Sequence, residues 1–344
     1  MSTSLYPAII LRKGKEQSLD RLHPWVFSGA IASMPESLEE GDLVTVNTHD
    51  GRLIGVGHYQ IGSITVRMLD FGNTVIDKQF FASRLNDALN LRRALRLARP
   101  DNNAYRLVHG EGDFLPGLII DIYGNTAVLQ AHSPGMHYAR NTIAMALTEL
   151  PDLAIANVYY KSETTLPYKA RLDPQNDYII GAFDTNIATE NSLHFHIDWL
   201  KGQKTGFFID QRDNRALLQH YSARRKVLNM FCYTGGFSVY ALRGDASSVV
   251  SVDSSAKAIA LTEANVNLNF PDDNRHKAVA EDAFKYLDNM AKGEFDLIVL
   301  DRRLLPSITR HCATPSGAIS ASTPWHLRRL PPEAYSSPSP APRQ

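Results

Sequence analysis

From Lys226 onward the chain repeats one unit, a short apolar run, a turn and a helical segment, and this rhythm narrows the possible folds more than any other feature. KVLNMF (226–231) runs into the glycine turn CYTGGFS (232–238), and VYALR opens a helix. SVVSVD (248–253) is a second run, followed by a helical segment over 254–269. KAVAED (277–282) leads into a helix over about 283–291, and FDLIVLD (295–301) is the fourth run. Strands that alternate with helices require right-handed crossovers and a parallel sheet. Ligands of such sheets sit at the carboxyl ends of the strands.

The residues at those ends carry the chemistry. Gly235 and Gly236 remove side chains where the backbone turns sharply and can approach a ligand. Asp253 closes the second strand and can accept both hydroxyls of a ribose, and Asp282 closes the third, where it can meet an adenine amino group. A Gly-Gly pair alone is no more than a turn; with acids at the two neighbouring strand ends it describes a nucleoside-shaped pocket. A dinucleotide would call for G-x-G-x-x-G so that a pyrophosphate can rest on the helix N-terminus, and CYTGGFS lacks that spacing. The acidic strand ends favour S-adenosylmethionine over NAD, with an NAD(P)-dependent oxidoreductase as the competing reading.

The rest of the chain divides by pattern. Residues 1–75 read as short strands (AIIL, LVTVNT, LIGVGHY, ITVRML) with Asp50-Gly51 as a hairpin signal. Residues 76–190 read as α+β. A helix over 78–97 places Phe81, Leu85, Ala88, Leu89 and Leu95 on one face and Arg84, Arg92, Arg93 and Arg96 largely off it. Two strands surround Tyr123-Gly124-Asn125, a helix lies near 138–149, and 178–199 reads as a hairpin. Residues 191–301 hold the repeating unit. No apolar run reaches the roughly 18 residues a membrane span needs, and the N-terminus lacks the order of a secretion signal. Two cysteines, Cys232 and Cys312, make no disulfide framework, so a cytoplasmic location is expected, and no metal site is expected.

Four stretches, LHPWVFSGAI (22–31), RLVHGEGDFLPGLIIDIYG (106–124), KTGFFIDQRDNR (204–215) and VLNMFCYTGGFSVYAL (227–242), closely resemble the bacterial PUA-domain methyltransferases of large-subunit ribosomal RNA. The resemblance runs nearly continuously from about Leu5 to Asp301. It implies a multi-domain α/β chain with an N-terminal β-rich PUA domain for RNA binding and a central α+β domain. The C-terminal domain it implies is a Rossmann-like class I methyltransferase domain using S-adenosylmethionine, truncated here. It also implies cytosine C5 of 23S rRNA as target, with a guanine or adenine nitrogen left open by the residues themselves. By the same resemblance Phe231, Tyr233, Thr234, Gly235, Gly236, Asp253, Ser254, Asp282 and Asp301 line the cofactor, with Gln211 and Arg212 packed over it. Gln211, Arg212 and Arg215 also suit a solvated helix start. Arg12, His23 and Trp25 are the candidate RNA contacts, and Trp25 equally suits a core anchor.

Cytosine C5 chemistry needs a thiolate that attacks C6. The family carries DPPAF at the fourth strand end and an SCS motif beyond it; this chain has DRRLL and no SCS. Cys232 belongs to the glycine turn and reads as a small buried residue, so no catalytic nucleophile is assigned, and Asp301 stands as the remnant of the DPP motif. Residues 302–344 hold six arginines against one acid, Glu333, and eight of the eighteen prolines, a disorder-type composition. If each codon is read from the third base of the one before, DRRLLPSITRHC permits D-P-P-A-F-A-K-H-H-P-P-L. In the same phase GAISASTPWHL permits G-Y-K-R-L-N-A-M-A-F, and the last thirteen residues permit a run containing F-S-C-S. One nucleotide lost after the Asp301 codon accounts for all three. A catalytically dead, non-native tail is the expectation, with a non-catalytic RNA-binding protein as the alternative.

Overall fold

The structure, a computed structural model, describes residues 5–167, 172 and 174–301. The sequence expectations for Arg302 onward, Cys312 included, lie outside the described residues. The described residues form two compact units: those up to 192 together with 197–209, and 193–196 together with 210–301.

In the first unit, β1 (Ala8–Leu11), β2 (Trp25–Phe27), β3 (Ile31–Ser33), β4 (Leu43–Asn47), β5 (Leu53–Tyr59) and β6 (Ile64–Asp70) form one sheet in the order β2-β6-β5-β4-β1-β3. Alternating apolar residues such as Ile9, Leu11, Val44, Val46 and Val66 supply its core. Asp50-Gly51 turns between β4 and β5 as expected, with Gly51 at a left-handed φ of 89°. Helix α1 (Lys78–Ala94) begins where the Asp77 side chain accepts the Phe80 N–H at 2.9 Å. It buries Phe81, Leu85, Ala88 and Leu89.

Two expectations for this helix are corrected. It ends at Ala94, so Leu95 lies beyond it and is exposed. Arg92, expected largely off the apolar face, is itself buried, with its guanidinium forked onto the Asp113 carboxylate.

A second sheet, in the order β11-β10-β9-β8-β7, comprises β7 (Ala104–His109), β8 (Leu118–Tyr123), β9 (Thr126–Ala131), β10 (Asn157–Tyr160) and β11 (Asp177–Ile180). Gly124, at φ 61°, makes the turn expected between β8 and β9. Helix α2 (Pro134–Thr148) starts four residues earlier than expected, because Ser133 caps it and Pro134 suits a first helical turn. It packs on α1 and the sheet. The 178–199 stretch does not begin as a hairpin: β11 pairs antiparallel with β10, and a further strand, β12, covers Ile187–Glu190.

The two sheets of this unit are joined by side chains. Trp25 Nε1 donates to Glu111 Oε1 at 2.8 Å, and Arg67 Nη1 reaches the same oxygen at 2.9 Å while its guanidinium lies over the indole. His58 on β5 packs against Gly135 of α2, where any Cβ would fall 2.1 Å from the imidazole. Burial pushes His58 down to about 4, so its ring is neutral at physiological pH. Its folded value lies below the ordinary 6.5, so the stability tied to the neutral ring is complete above pH 6.5 and is lost as pH falls toward 4. Urea unfolding of the wild type is expected to lose about 2–3 kcal/mol of stability to this group between pH 7 and 4.5. In His58→Asn that part of the acid slope should vanish; an unchanged slope would dismiss His58 as its source.

The second unit begins with β13 (Leu193–His196) and α3 (Arg212–Tyr221). Then come β14 (Lys226–Met230), α4 (Gly236–Arg243), β15 (Ser248–Asp253), α5 (Ala256–Asn269), β16 (His276–Ala280), α6 (Ala283–Asn289) and β17 (Leu297–Leu300). The last four strands form an all-parallel sheet in the order β16-β15-β14-β17, so the third and fourth strands flank the first two on opposite sides. That is the doubly wound arrangement expected from the repeating unit. Leu228, Met230 and Val252 pack on Ala283, Leu287, Met290 and Phe295. Among the described residues β17 pairs only with β14, and Leu300 at its end is half exposed.

Candidate cofactor site

Three carboxylates and one tight turn gather at the carboxyl ends of the parallel strands. Between β14 and α4 the backbone takes left-handed φ values at Phe231 (56°), Tyr233 (49°) and Gly235 (74°). Two of these are non-glycine residues in a sparsely populated region, which persists only when the surroundings impose it. Here the surroundings are Asp253 and α5. Asp253 Oδ2 accepts the Tyr233 N–H at 3.1 Å and its Oδ1 accepts the Ser255 N–H at 2.9 Å. Each oxygen keeps a further lone pair, and the carboxylate is only partly buried. It can therefore hold the turn and still accept ligand hydroxyls. Gly235 is required twice over: its φ is left-handed, and a Cβ would lie 2.6 Å from Thr262 Cγ2.

Asp282 is two residues beyond the end of β16, not its last residue. Its Oδ1 accepts the N–H groups of Phe284 and Lys285 at 2.9 and 3.1 Å, capping α6. The side chain remains exposed at the strand end next to Asp253. Asp301 follows β17 on the other side of the turn and is exposed, as is Ser254. Thr234 and Gly236 are buried in the turn.

The helix start at Gln211 and Arg212 is partly buried. Gln211 Oε1 accepts from Asn214 Nδ2 at 2.8 Å, and Arg212 Nε reaches Asp213 at 3.1 Å. The solvated-helix reading fails for Arg215, which is 2% exposed with its Cδ 3.0 Å from where a Gly236 Cβ would stand. Cys232 is the small buried residue expected: burial pushes its thiol up to about 12 and it contacts Thr262 Oγ1 at 3.5 Å, so no thiolate forms there at neutral pH.

The sequence reading missed Thr262 and Asn265, both fully buried on α5. Thr262 Oγ1 donates to the Tyr233 carbonyl at 3.1 Å, and Asn265 Nδ2 donates to the Thr234 carbonyl at 2.8 Å. Their spacing of three on one helix face, with Asn269 four further on, was the available signal.

Arg12 and His23 are exposed in the first unit, with Arg12 Nε bonded to the Ile31 carbonyl at 3.0 Å. Trp25, tied to Glu111, is a partly buried anchor whose ring also meets His23 and Phe27 edge-on. No cluster of metal-ligating side chains occurs among the described residues.

A family model described as S-adenosylmethionine-dependent methyltransferase matches residues 113–330, and one described as PUA-like domain matches residues 9–71. The chain belongs to the S-adenosylmethionine-dependent methyltransferases. Three curated relatives of this methyltransferase carry the name ribosomal RNA large subunit methyltransferase I. That of Klebsiella pneumoniae (strain 342) is 40% identical over 308 residues, covering 88% of this chain and 76% of the relative. That of Alteromonas mediterranea is 40% identical over 300 residues, covering 85% and 74%. That of Escherichia coli (strain SMS-3-5) is 39% identical over 301 residues, covering 85% and 75%.

Among solved structures, a protein of Streptococcus mutans superposes with a TM-score of 0.68 at 22% identity, over 85% of this chain and 76% of the other. A second, solved with S-adenosylhomocysteine (SAH) bound, superposes at 0.69 and 22% over 85% and 75%. Both establish the fold. The methyltransferase's cofactor is S-adenosylmethionine, and the donor set suits it: carboxylates at adjacent strand ends and a glycine turn that admits backbone contact. In the described residues no helix is long and apolar enough to cross a membrane.

Proposed function

We propose that this methyltransferase acts on large-subunit (23S) ribosomal RNA in the cytoplasm, and that cytosine C5 is the atom methylated by the intact enzyme. The observation that carries the reading is that relatives named ribosomal RNA large subunit methyltransferase I match most of this chain at about 40% identity. The cytosine C5 assignment rests on the family resemblance, whose DPP and SCS motifs the shifted phase permits. Residues 1–75 are the RNA-binding module, with Arg12, His23 and Trp25 as candidate contacts. Residues 76–190 are the central domain, and 191–301 the cofactor domain.

In the cofactor domain Asp253 accepts the ribose hydroxyls and Asp282 the adenine amino group. Phe231, Tyr233, Thr234, Gly235, Gly236, Ser254 and Asp301 line the cofactor, Gln211 and Arg212 close over it, and Asp301 is also the remnant of the DPP motif. Asp253→Ala removes two charge-assisted acceptors, and SAH affinity measured by calorimetry is expected to fall roughly 30- to 100-fold. An unchanged affinity would take Asp253 out of the site.

The chain as translated is inactive in this reading, because the out-of-phase tail removes the nucleophile. Base-resolved mapping of methyl groups on 23S rRNA, after incubation with frame-restored protein, tests the target. A methyl group on a purine nitrogen, or none on 23S rRNA, would overturn the cytosine assignment.

A further inference from the structure

We infer that Thr262 is a positioning residue that aims a backbone amide of the glycine turn at the carboxylate-bearing amino-acid end of the cofactor. The inference rests on the cofactor site proposed above and deepens it.

The carbonyls of the turn are held on one side. Tyr233 C=O accepts the Thr262 hydroxyl at 3.1 Å, and Thr234 C=O accepts Asn265 Nδ2 at 2.8 Å. Asn265 is itself fixed, because its Oδ1 accepts the His196 N–H of β13 at 2.7 Å. Both α5 side chains are fully buried, so neither bond competes with water. A trans peptide sends the next N–H the opposite way from its carbonyl. The Thr262 bond therefore turns the Thr234 N–H away from α5, and the Asn265 bond does the same for the Gly235 N–H. The Gly235 N–H is spent on the Cys232 carbonyl at 2.8 Å. The Thr234 N–H is the donor that this arrangement aims outward, just before the first turn of α4, where the helix field favours an anion.

The left-handed φ of Tyr233 is what makes the clamp necessary. At 49° this residue sits where a tyrosine is strained, and without the hydroxyl the peptide between Tyr233 and Thr234 is free to flip. Asp253 holds the amide end of Tyr233 and Thr262 holds its carbonyl end, so the two together fix the residue. The methyl of Thr262 fills the space that the missing Gly235 side chain leaves.

The test compares two ligands on the full chain by calorimetry: SAH, and 5′-methylthioadenosine, which keeps the nucleoside but has no amino-acid end. Thr262→Val keeps the shape and removes the hydroxyl. It is expected to weaken SAH about tenfold and methylthioadenosine less than about twofold, and Thr262→Ser should restore SAH binding. Thr262→Ala provides the same comparison if the valine variant fails to fold. Equal losses for both ligands would mean that Thr262 only supports the pocket, and no loss for SAH would mean that it does not orient the amide; either overturns the inference. If the wild type binds neither ligand, the cofactor-site reading itself fails and the inference goes with it.

Discussion

Insertion of one nucleotide directly after the Asp301 codon is expected to raise methyl transfer to ribosomal RNA sharply. The gain in turnover should be roughly 10³-fold or more, the scale on which loss of a covalent nucleophile acts. The restored phase permits D-P-P at the end of the fourth strand and a cysteine within S-C-S. Among the described residues the one cysteine, Cys232, is buried with its thiol pushed up to about 12, and offers no thiolate at neutral pH. The fold should respond as well. Among the described residues β17 ends in a half-exposed Leu300 and pairs on one side only, an apolar edge that invites association. A following strand would cover it, and each 100 Å² of apolar surface removed from water contributes about 2.5 kcal/mol. The measurement is transfer of labelled methyl from S-adenosylmethionine to rRNA by both proteins, with sequencing of the gene from the Leu300 codon to the stop. Equal activity of the two proteins would refute the frameshift, and so would failure of the restored chain to transfer methyl.

Asp113→Ala should destabilise the first unit by about 3–5 kcal/mol, a large share of the 5–15 kcal/mol typical of a folded domain. Arg92 and Asp113 are each 8% exposed. The guanidinium forks onto both carboxylate oxygens and donates Nε to the Arg106 carbonyl at 2.9 Å; the carboxylate also accepts the His109 N–H at 2.6 Å. Removal of the acid leaves a buried, unpaired cation and an unsatisfied amide. The double change Arg92→Met with Asp113→Leu should cost less than the single one, because no charge is stranded. Chemical denaturation gives both values. A single-variant loss under about 1 kcal/mol, or a double variant worse than the single, would show that the pair does not act as argued.

This pair also marks the limit of what the sequence discloses. A helical wheel sends Arg92 to solvent because charged residues default there, and its partner lies 21 positions away on another element, where no local period can register it. The strand-turn-helix rhythm of 226–301 was legible because each apolar run stops at a glycine or an aspartate. The same rule mislocated Asp282, since an acid that ends a strand and one that caps the next helix look alike in sequence. The 178–199 stretch misled because β11 pairs back across 17 or more positions to β10 and not with its sequence neighbour. Thr262 and Asn265 escaped notice because polar residues on a helix are read as solvated, whereas here they bond to backbone carbonyls.

One further line of polar side chains crosses the second unit. Asn229 of β14 donates to Ser238 Oγ of α4 at 2.9 Å. Ser238 meets Ser251 of β15 at 2.6 Å, and Ser251 meets His276 Nε2 of β16 at 2.8 Å. Asn229, Ser238 and Ser251 are buried, and burial pushes His276 down to about 4, which keeps its ring neutral for the bond. Around these residues the strands read VLNM, VVSV and KAVA, sequences whose apolar side chains would tolerate several parallel alignments. Sliding any one strand by a residue turns its polar member to the opposite face and leaves the others buried without partners. The relay thus acts as a key among otherwise interchangeable strands, admitting one alignment, and with it one placement of the aspartates at their ends.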